Sequence, residues 1–277
     1  MNVVTELDEL RMARKRLEVP LGLVPTMGAL HEGHLSLVHR AKAECKSVAV
    51  SIFVNPTQFG PQEDLSKYPR NLERDLALLE ASGVDLVWTP TPKGMYPHGF
   101  QTWVDVEGLT SPLEGAVRPG HFRGVTTVVA KLFNAFQPEK AYFGQKDAQQ
   151  VAVIRRMALD LDFPIQVVVC PTMREADGLA MSSRNLYLGP DERQTATVLY
   201  RALSAAQSAY QQGESSAKKL RQIVIETFAG EPLAQLQYIS CADYNTLEEM
   251  DSVDSKALLS MAAFIGKTRL IDNVILE

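Results

Sequence analysis

An α/β fold is predicted for this 277-residue chain: a parallel sheet with helices on both faces, then a smaller α+β domain. Three observations predict it. Short apolar runs rich in β-branched residues read as buried strands, stretches with helical spacing lie between them, and near Gly178 this alternation gives way to helices followed by strands.

The strand candidates are Leu21–Val24, Val48–Val54, Val84–Trp88, Lys140–Phe143 and Ile165–Val169. Leu35, Val38, Ala41 and Ala43–Cys45 give the first intervening helix an apolar face. Leu72, Leu76, Leu78 and Leu79 do so for the second, Val128, Val129, Leu132, Phe133 and Phe136 for the third, and Val151, Ile154, Met157, Ala158 and Leu161 for the fourth. Such a Rossmann-like sheet binds ligands outside the carboxyl ends of its strands. Residues 191–212 and 216–228 then read as helices, the second stopped by Ala229-Gly230-Glu231-Pro232. Gln235–Cys241, Ala257–Ile265 and Arg269–Leu276 read as strands, the last two joined by a hairpin at Gly266-Lys267-Thr268 and therefore antiparallel. The expected division is 1–174 for the first domain and 175–277 for the second.

Composition narrows the function. Hydrophobic residues make up 45% and charged residues 22%, as in ordinary globular proteins. Lys and Arg total 28 against 33 Asp and Glu, a net charge of -5 that disfavours a dedicated nucleic-acid binder. No apolar run reaches the roughly 18 residues of a membrane helix, and the mixed charges of Met1–Arg16 argue against a secretory signal. Cys45, Cys170 and Cys241 are odd in number and far apart, which suits neither a disulfide framework nor a cysteine-based zinc site. A cytoplasmic enzyme is expected.

Four segments carry chemistry. Pro25-Thr26-Met27-Gly28-Ala29-Leu30-His31-Glu32-Gly33-His34 follows the first strand candidate and opens a helix. A helix start there presents N–H groups and a dipole that favour phosphate. His31 and His34, three apart, share one face, and Gly33 is expected to leave room between their rings. The spacing does not fit a zinc protease, which needs histidines four apart. His-x-x-His with Gly inside resembles the nucleotide-binding signature of adenylyl-transferring enzymes. The second segment, Gly144-Gln145-Lys146-Asp147, precedes another helix; Lys146 can reach a phosphate as a point charge, and Asp147 suits either a helix cap, paired with Gln150, or a nucleotide pocket. The third, Met181-Ser182-Ser183-Arg184, resembles the same superfamily's second signature, a mobile loop whose hydroxyls and guanidinium close on a polyanion. The fourth, Asn55-Pro56-Thr57-Gln58, ends the second strand candidate and places Gln58 where substrate is read. Arg118–Gly124 is a basic, Gly-rich turn that binds an anion or starts a helix. Gly266-Lys267-Thr268 is no P-loop, because Met261 stands where its first Gly belongs.

Together these segments resemble the pantothenate synthetase (pantoate–β-alanine ligase) family of the nucleotidyltransferase superfamily, and the similarity runs through almost the whole chain. Val24–His34, Ser51–Arg70, Glu114–Gly124, Ala141–Gln150 and Pro171–Tyr187 carry it in the family's order, with Thr268–Asn273 at the close. Gln145 departs from the Glu often found in the family. The resemblance implies two half-reactions: (R)-pantoate attacks the α-phosphorus of ATP to give pantoyl adenylate and pyrophosphate, and β-alanine then displaces AMP to give pantothenate. It implies ATP contacts from Met27, Gly28, Ala29, Leu30, His31, Glu32, Gly33, His34, Gly144, Gln145, Lys146, Asp147, Met173, Met181, Ser182, Ser183 and Arg184. Of these, His34, His31 and Lys146 would be catalytic. Gln58 and Gln150 would bind pantoate, with Gln58 also near β-alanine. Mg²⁺ is expected with the triphosphate, without a named protein ligand, and a homodimer is the family expectation.

Three other readings compete. A nucleotidyltransferase acting on a phosphate monoester would want further basic residues. An RNA-charging enzyme would want a basic extension. A silent nucleotide-binding module would have lost one of His31, His34, Lys146 and Arg184, all of which are present.

Overall fold

The computed structural model describes residues 1–277. In chain order it comprises β1 (Asn2–Val4), α1 (Leu7–Arg14), β2 (Leu21–Thr26), α2 (Glu32–Glu44), β3 (Ser47–Ile52), α3 (Leu72–Ala81), β4 (Leu86–Trp88), α4 (Pro92–Met95), α5 (Glu114–Val117) and α6 (His121–Phe136). There follow β5 (Lys140–Gly144), α7 (Ala148–Asp160), β6 (Gln166–Cys170), α8 (Pro190–Thr195), α9 (Val198–Gln211), α10 (Ala217–Phe228), β7 (Ala234–Asp243), β8 (Ala257–Ile265) and β9 (Thr268–Leu276). Short 3-10 turns lie at Pro56–Gln58, Asp64–Ser66, Gln145–Asp147 and Ser183–Tyr187. No helix is long and apolar enough to cross a membrane.

Six strands form one sheet in the order β1-β4-β3-β2-β5-β6, and every pairing is parallel. The two-residue period of the strands sorts their side chains onto two faces. Leu21, Leu23, Ala49, Leu86, Trp88, Ala141 and Phe143 join Leu10 of α1, Phe136 of α6 and Ile154 of α7 in one cluster. Val24, Val48, Val50, Val87 and Tyr142 join Val38 of α2 and Leu79 of α3 in another. Helices therefore cover both faces, as predicted.

The winding reverses between β2 and β5, the switch point at which such sheets bind ligands. Pairing of β2 with β3 continues to Thr26–Ile52, whereas β2 pairs with β5 only through Gly22–Lys140 and Leu23–Ala141. Beyond Leu23 the two strands part, so the carboxyl end of β2 is open on its β5 side.

Three features differ from expectation. The first strand and helix escape a periodicity search because β1 is three residues long and α1 buries only Leu10 and Ala13. The helix expected over 191–212 is broken into α8 and α9, where Thr197 and Leu199 donate to carbonyls three residues back rather than four, a local tightening. The chain also divides otherwise than after residue 174. One compact unit is Met1–Gly144 with Gln149–Pro171; the other is Gln145–Ala148 with Thr172–Glu277. Gln145–Ala148 packs with the second unit because Asn273 of β9 binds the carbonyls of Gln145 and Lys146.

The second unit carries an antiparallel sheet in the order β7-β8-β9. Gly266, at φ 55, and Lys267 form the two-residue turn between β8 and β9, with Ile265 paired to Thr268. Leu259, Met261 and Ala263 of β8 pack against Leu199 and Leu203 of α9 and Leu220 and Val224 of α10.

Candidate active site

At the end of β2 the backbone enters the left-handed region twice, at Gly28 (φ 79) and Ala29 (φ 50). Glycine tolerates this, whereas Ala29 is strained and needs support. Asp75 of α3 supplies it: its buried carboxylate accepts hydrogen bonds from the backbone N–H groups of Ala29 and Leu30, both at 2.8 Å. A Cβ at position 28 would lie 3.0 Å from that carboxylate. Arg74 adds a bond from its guanidinium to the Leu30 carbonyl at 2.9 Å. Sequence reasoning missed Asp75, although one signal was there. It stands three residues after Leu72 and four before Leu79, a charge in the middle of an apolar helix stripe.

His31 caps α2, and its Nδ1 accepts from the Gly33 N–H at 3.1 Å. His34 Nδ1 accepts from the His31 N–H at 3.4 Å. These bonds assign the proton of each neutral ring to Nε2, so each imidazole can offer an Nε2–H donor. Two expectations are corrected here. The rings touch, with centroids 4.2 Å apart, so Gly33 opens no gap between them. The N–H groups of Ala29, Leu30, His31 and Gly33 already have intramolecular acceptors. The imidazoles, more than bare backbone, are what this helix start can present to a phosphate.

Gln58 is held on every side. Asn55 Nδ2 donates to Gln58 Oε1 at 3.0 Å and to the Gly124 carbonyl at 3.1 Å. Gln58 Nε2 points to Met27 Sδ at 3.1 Å, which brings Gln58 and the histidine segment together. Sulfur is a weak acceptor, so the amide keeps donor capacity there. Gly124 allows the close approach, since a Cβ would fall 2.5 Å from the Thr57 carbonyl oxygen. The Gln58 carbonyl accepts from His121 Nδ1 at 2.8 Å, and His121 Nε2 accepts from Arg118 at 3.2 Å. Arg118 is also bidentate to Glu63, at 2.9 and 2.7 Å. The basic turn over 118–124 thus starts α6 and supports Gln58, with its guanidinium neutralised internally. Gln149 pins the preceding loop through the Glu114 N–H and the carbonyls of Leu109 and Pro112. Gln150, the next residue of α7, is half-buried.

Burial, with the Arg118 charge beside it, pushes the His121 pKa from 6.5 down to about 4. The unfolded chain therefore takes up a proton that the folded one refuses as pH falls through this window. The resulting stability is fully present above pH 6.5 and lost between 6.5 and about 4, in total about 3 kcal/mol. Denaturant unfolding at pH 7 and pH 5 should show this loss, and His121→Gln should show less of it. Equal losses in both proteins would exclude His121 as the source.

In the second unit, Lys146 lines a small cavity with Ser182, Asn185, Leu199, Asp272 and others. Residues 173–181 form a tight hairpin: Met181 N–H donates to the Met173 carbonyl at 2.9 Å, and Glu175 N–H to that of Leu179 at 2.8 Å. Gly178 turns the tip at φ 92 against Tyr200. Arg174 holds the hairpin through Asp272, at 2.6 and 2.9 Å, while burial pushes that carboxyl's pKa up and Arg174 opposes the rise. Within the segment expected to be a mobile loop, Ser183–Tyr187 form a 3-10 turn, with Ser182 Oγ accepting from the Arg184 N–H at 3.2 Å and Asn185 donating to Glu175 and Ala180. Met173 and Asp147 are exposed. No group of three His, Cys, Asp or Glu side chains is placed to hold a metal ion.

Known proteins resemble this chain along its whole length. The family described as Pantoate-beta-alanine ligase matches residues 2–275. A pantothenate synthetase of Herpetosiphon aurantiacus is 60% identical over 277 residues, covering 100% of both chains. One from Acetivibrio thermocellus is 51% identical, covering 100% of this chain and 99% of the other. The crystal structure of pantothenate synthetase from Thermus thermophilus superposes with a TM-score of 0.95 at 50% identity, covering 99% of each chain. That of pantoate-beta-alanine ligase from Francisella tularensis, complexed with beta-gamma ATP and beta-alanine, gives 0.82 at 35% identity, covering 99% of this chain and 97% of that one.

Proposed function

Because the chain belongs to the pantoate–β-alanine ligase family, we propose that it joins (R)-pantoate to β-alanine, using MgATP, through a bound pantoyl adenylate. The observation that carries this reading is the meeting of Gln58 with the histidine segment at Met27, 3.1 Å from amide nitrogen to sulfur. A residue able to orient a hydroxy acid thereby adjoins the segment that presents two imidazole donors. A phosphate monoester as second substrate is disfavoured, since Arg118, whose guanidinium also reaches the Gln58 carbonyl, is committed to Glu63.

In the proposed reaction the amides of Gln58 and Gln150 hold pantoate with its carboxylate toward the α-phosphorus. The carboxylate oxygen attacks, the bond to the bridging oxygen breaks, and pyrophosphate leaves with the electron pair. Nε2–H of His34, with that of His31, donates to the departing oxygens, and Lys146 places a positive charge on them. Arg184, Ser182 and Ser183 supply further phosphate donors, while Met27–Leu30, Glu32, Gly33, Gly144, Gln145, Asp147, Met173 and Met181 form the rest of the ATP contacts. Catalysis is mainly positioning and charge stabilisation. Mg²⁺ would come as part of the MgATP substrate and would offset charge on the phosphates. The neutral amine of β-alanine then attacks the anhydride carbonyl, and AMP departs. We take the enzyme to act as a cytoplasmic homodimer.

No cysteine or serine sits in a nucleophile motif, so no covalent acyl intermediate is expected. Cys170 and Cys241 are buried, and burial raises both thiols, Cys241 to about 11. Cys45 lies 3.3 Å from the Tyr142 hydroxyl. With ATP and pantoate alone, the enzyme should release about one pyrophosphate per site in a burst and then slow. Mass spectrometry after mild denaturation should recover pantoyl adenylate and an unmodified chain, and β-alanine should discharge the adenylate faster as pH rises toward its amine pKa. Pantoyl attached to the chain, or no pyrophosphate before β-alanine is added, would overturn the scheme.

A further inference from the structure

Asn273 of β9 is 5% exposed, and its whole amide group is directed at one turn. Nδ2 donates to the carbonyls of Gln145 at 3.1 Å and Lys146 at 2.9 Å, and Oδ1 accepts from Gln145 Nε2 at 3.1 Å. The Tyr244 hydroxyl donates to Gln145 Oε1 at 3.3 Å, so the turn is held both from within β9 and from the residue that follows β7. The neighbouring Asp272 grips Arg174 of the hairpin over 173–181, and its Oδ1 accepts from the Asn273 N–H at 2.7 Å. Two adjacent residues of one strand thus fix both the Lys146 turn and the base of the arm that leads to Ser182–Arg184.

A lysine side chain is a flexible four-carbon stem, so where its ammonium group can act depends on where its backbone is held. The turn carrying Lys146 is three residues long, and a short 3-10 turn has little hydrogen bonding of its own to define it. Asn273 supplies what the turn lacks. We infer that Asn273 is a positioning residue for the phosphate step, acting through the backbone of Lys146 and not through contact with substrate. This rests on the reading of Lys146 as a phosphate ligand.

The test is single-turnover pyrophosphate release from ATP and pantoate by Asn273→Ala, Lys146→Ala and the double variant, with thermal unfolding of each. Asn273→Ala should slow release about tenfold to a hundredfold, the usual effect of misplacing a reacting group by an ångström or so. The double variant should be no more than about twofold slower than Lys146→Ala alone, because residues acting as one unit are not additive. A merely structural contribution would instead multiply with the lysine loss. Should Asn273→Ala lose its unfolding transition, Asn273→Ser, which keeps one donor for the two carbonyls, replaces it, and its slowing must likewise vanish in the Lys146→Ala background. Full-rate release by the Asn273 variant, or slowing that multiplies with the Lys146 loss, overturns the inference. Full-rate release by Lys146→Ala overturns the underlying assignment of Lys146.

Discussion

Replacing His34 by alanine is expected to slow pyrophosphate release by about two to four orders of magnitude, the range for loss of one donor to a developing anion. The geometry gives this ring two functions. Its Nδ1 accepts the His31 N–H at 3.4 Å, which orients Nε2–H as a donor. Alanine removes both, so His34→Asn is the informative companion, because its amide oxygen can take over the acceptor function. Stability should then recover while the rate stays low. ATP affinity should fall much less than the rate, since the dipole of α2 and Lys146 persist. Rapid-quench measurement of pyrophosphate with saturating ATP and pantoate separates these effects. A variant with near-normal release would remove His34 from the chemistry.

The second large effect is expected at Asp75. Its carboxylate accepts two buried backbone N–H groups, and alanine would remove that acceptor from both. A buried donor left unpaired costs about 1–3 kcal/mol, so Asp75→Ala should lower unfolding free energy by roughly 3–5 kcal/mol. That is a large share of the roughly 5–15 kcal/mol typical of folded proteins. Asp75→Asn keeps the shape but turns an NH₂ group toward one of the N–H donors, so it should recover about half of the loss. Urea unfolding curves measure all three proteins. A loss below about 1 kcal/mol for Asp75→Ala would show that water replaces the carboxylate, and that the loop over Gly28–Leu30 stands without it.

What could be read from the sequence follows from the range of the interactions involved. The run Ala257–Ile265 matches β8 residue for residue because it is apolar on both faces and closed by a turn glycine. The histidine pair and the Asn55–Gln58 turn were legible because their bonds span two or three residues. Asp75, His121 and Asn273 were not, since their partners lie 46, 63 and 128 positions away. No local spacing encodes such bonds. The same holds for the Gln145–Ala148 segment, whose allegiance to the second unit is decided by a side chain near the end of the chain. Gln145 itself is matched by an acceptor, the Asn273 Oδ1.

The allocation of Gln145–Ala148 has a consequence for how this protein can be divided. The chain passes from one unit to the other at 144/145, back at 148/149, and over again at 171/172. Neither unit is a contiguous stretch, so no single cut yields two whole pieces. A fragment ending at Pro171 would keep the Lys146 turn but lose the strand that binds its carbonyls, and a fragment starting at Thr172 would keep that strand with an orphaned asparagine. Split reporters, domain exchange between relatives and separate expression would each have to carry four residues across the seam. The protein is two units by packing and one by inheritance of the chain.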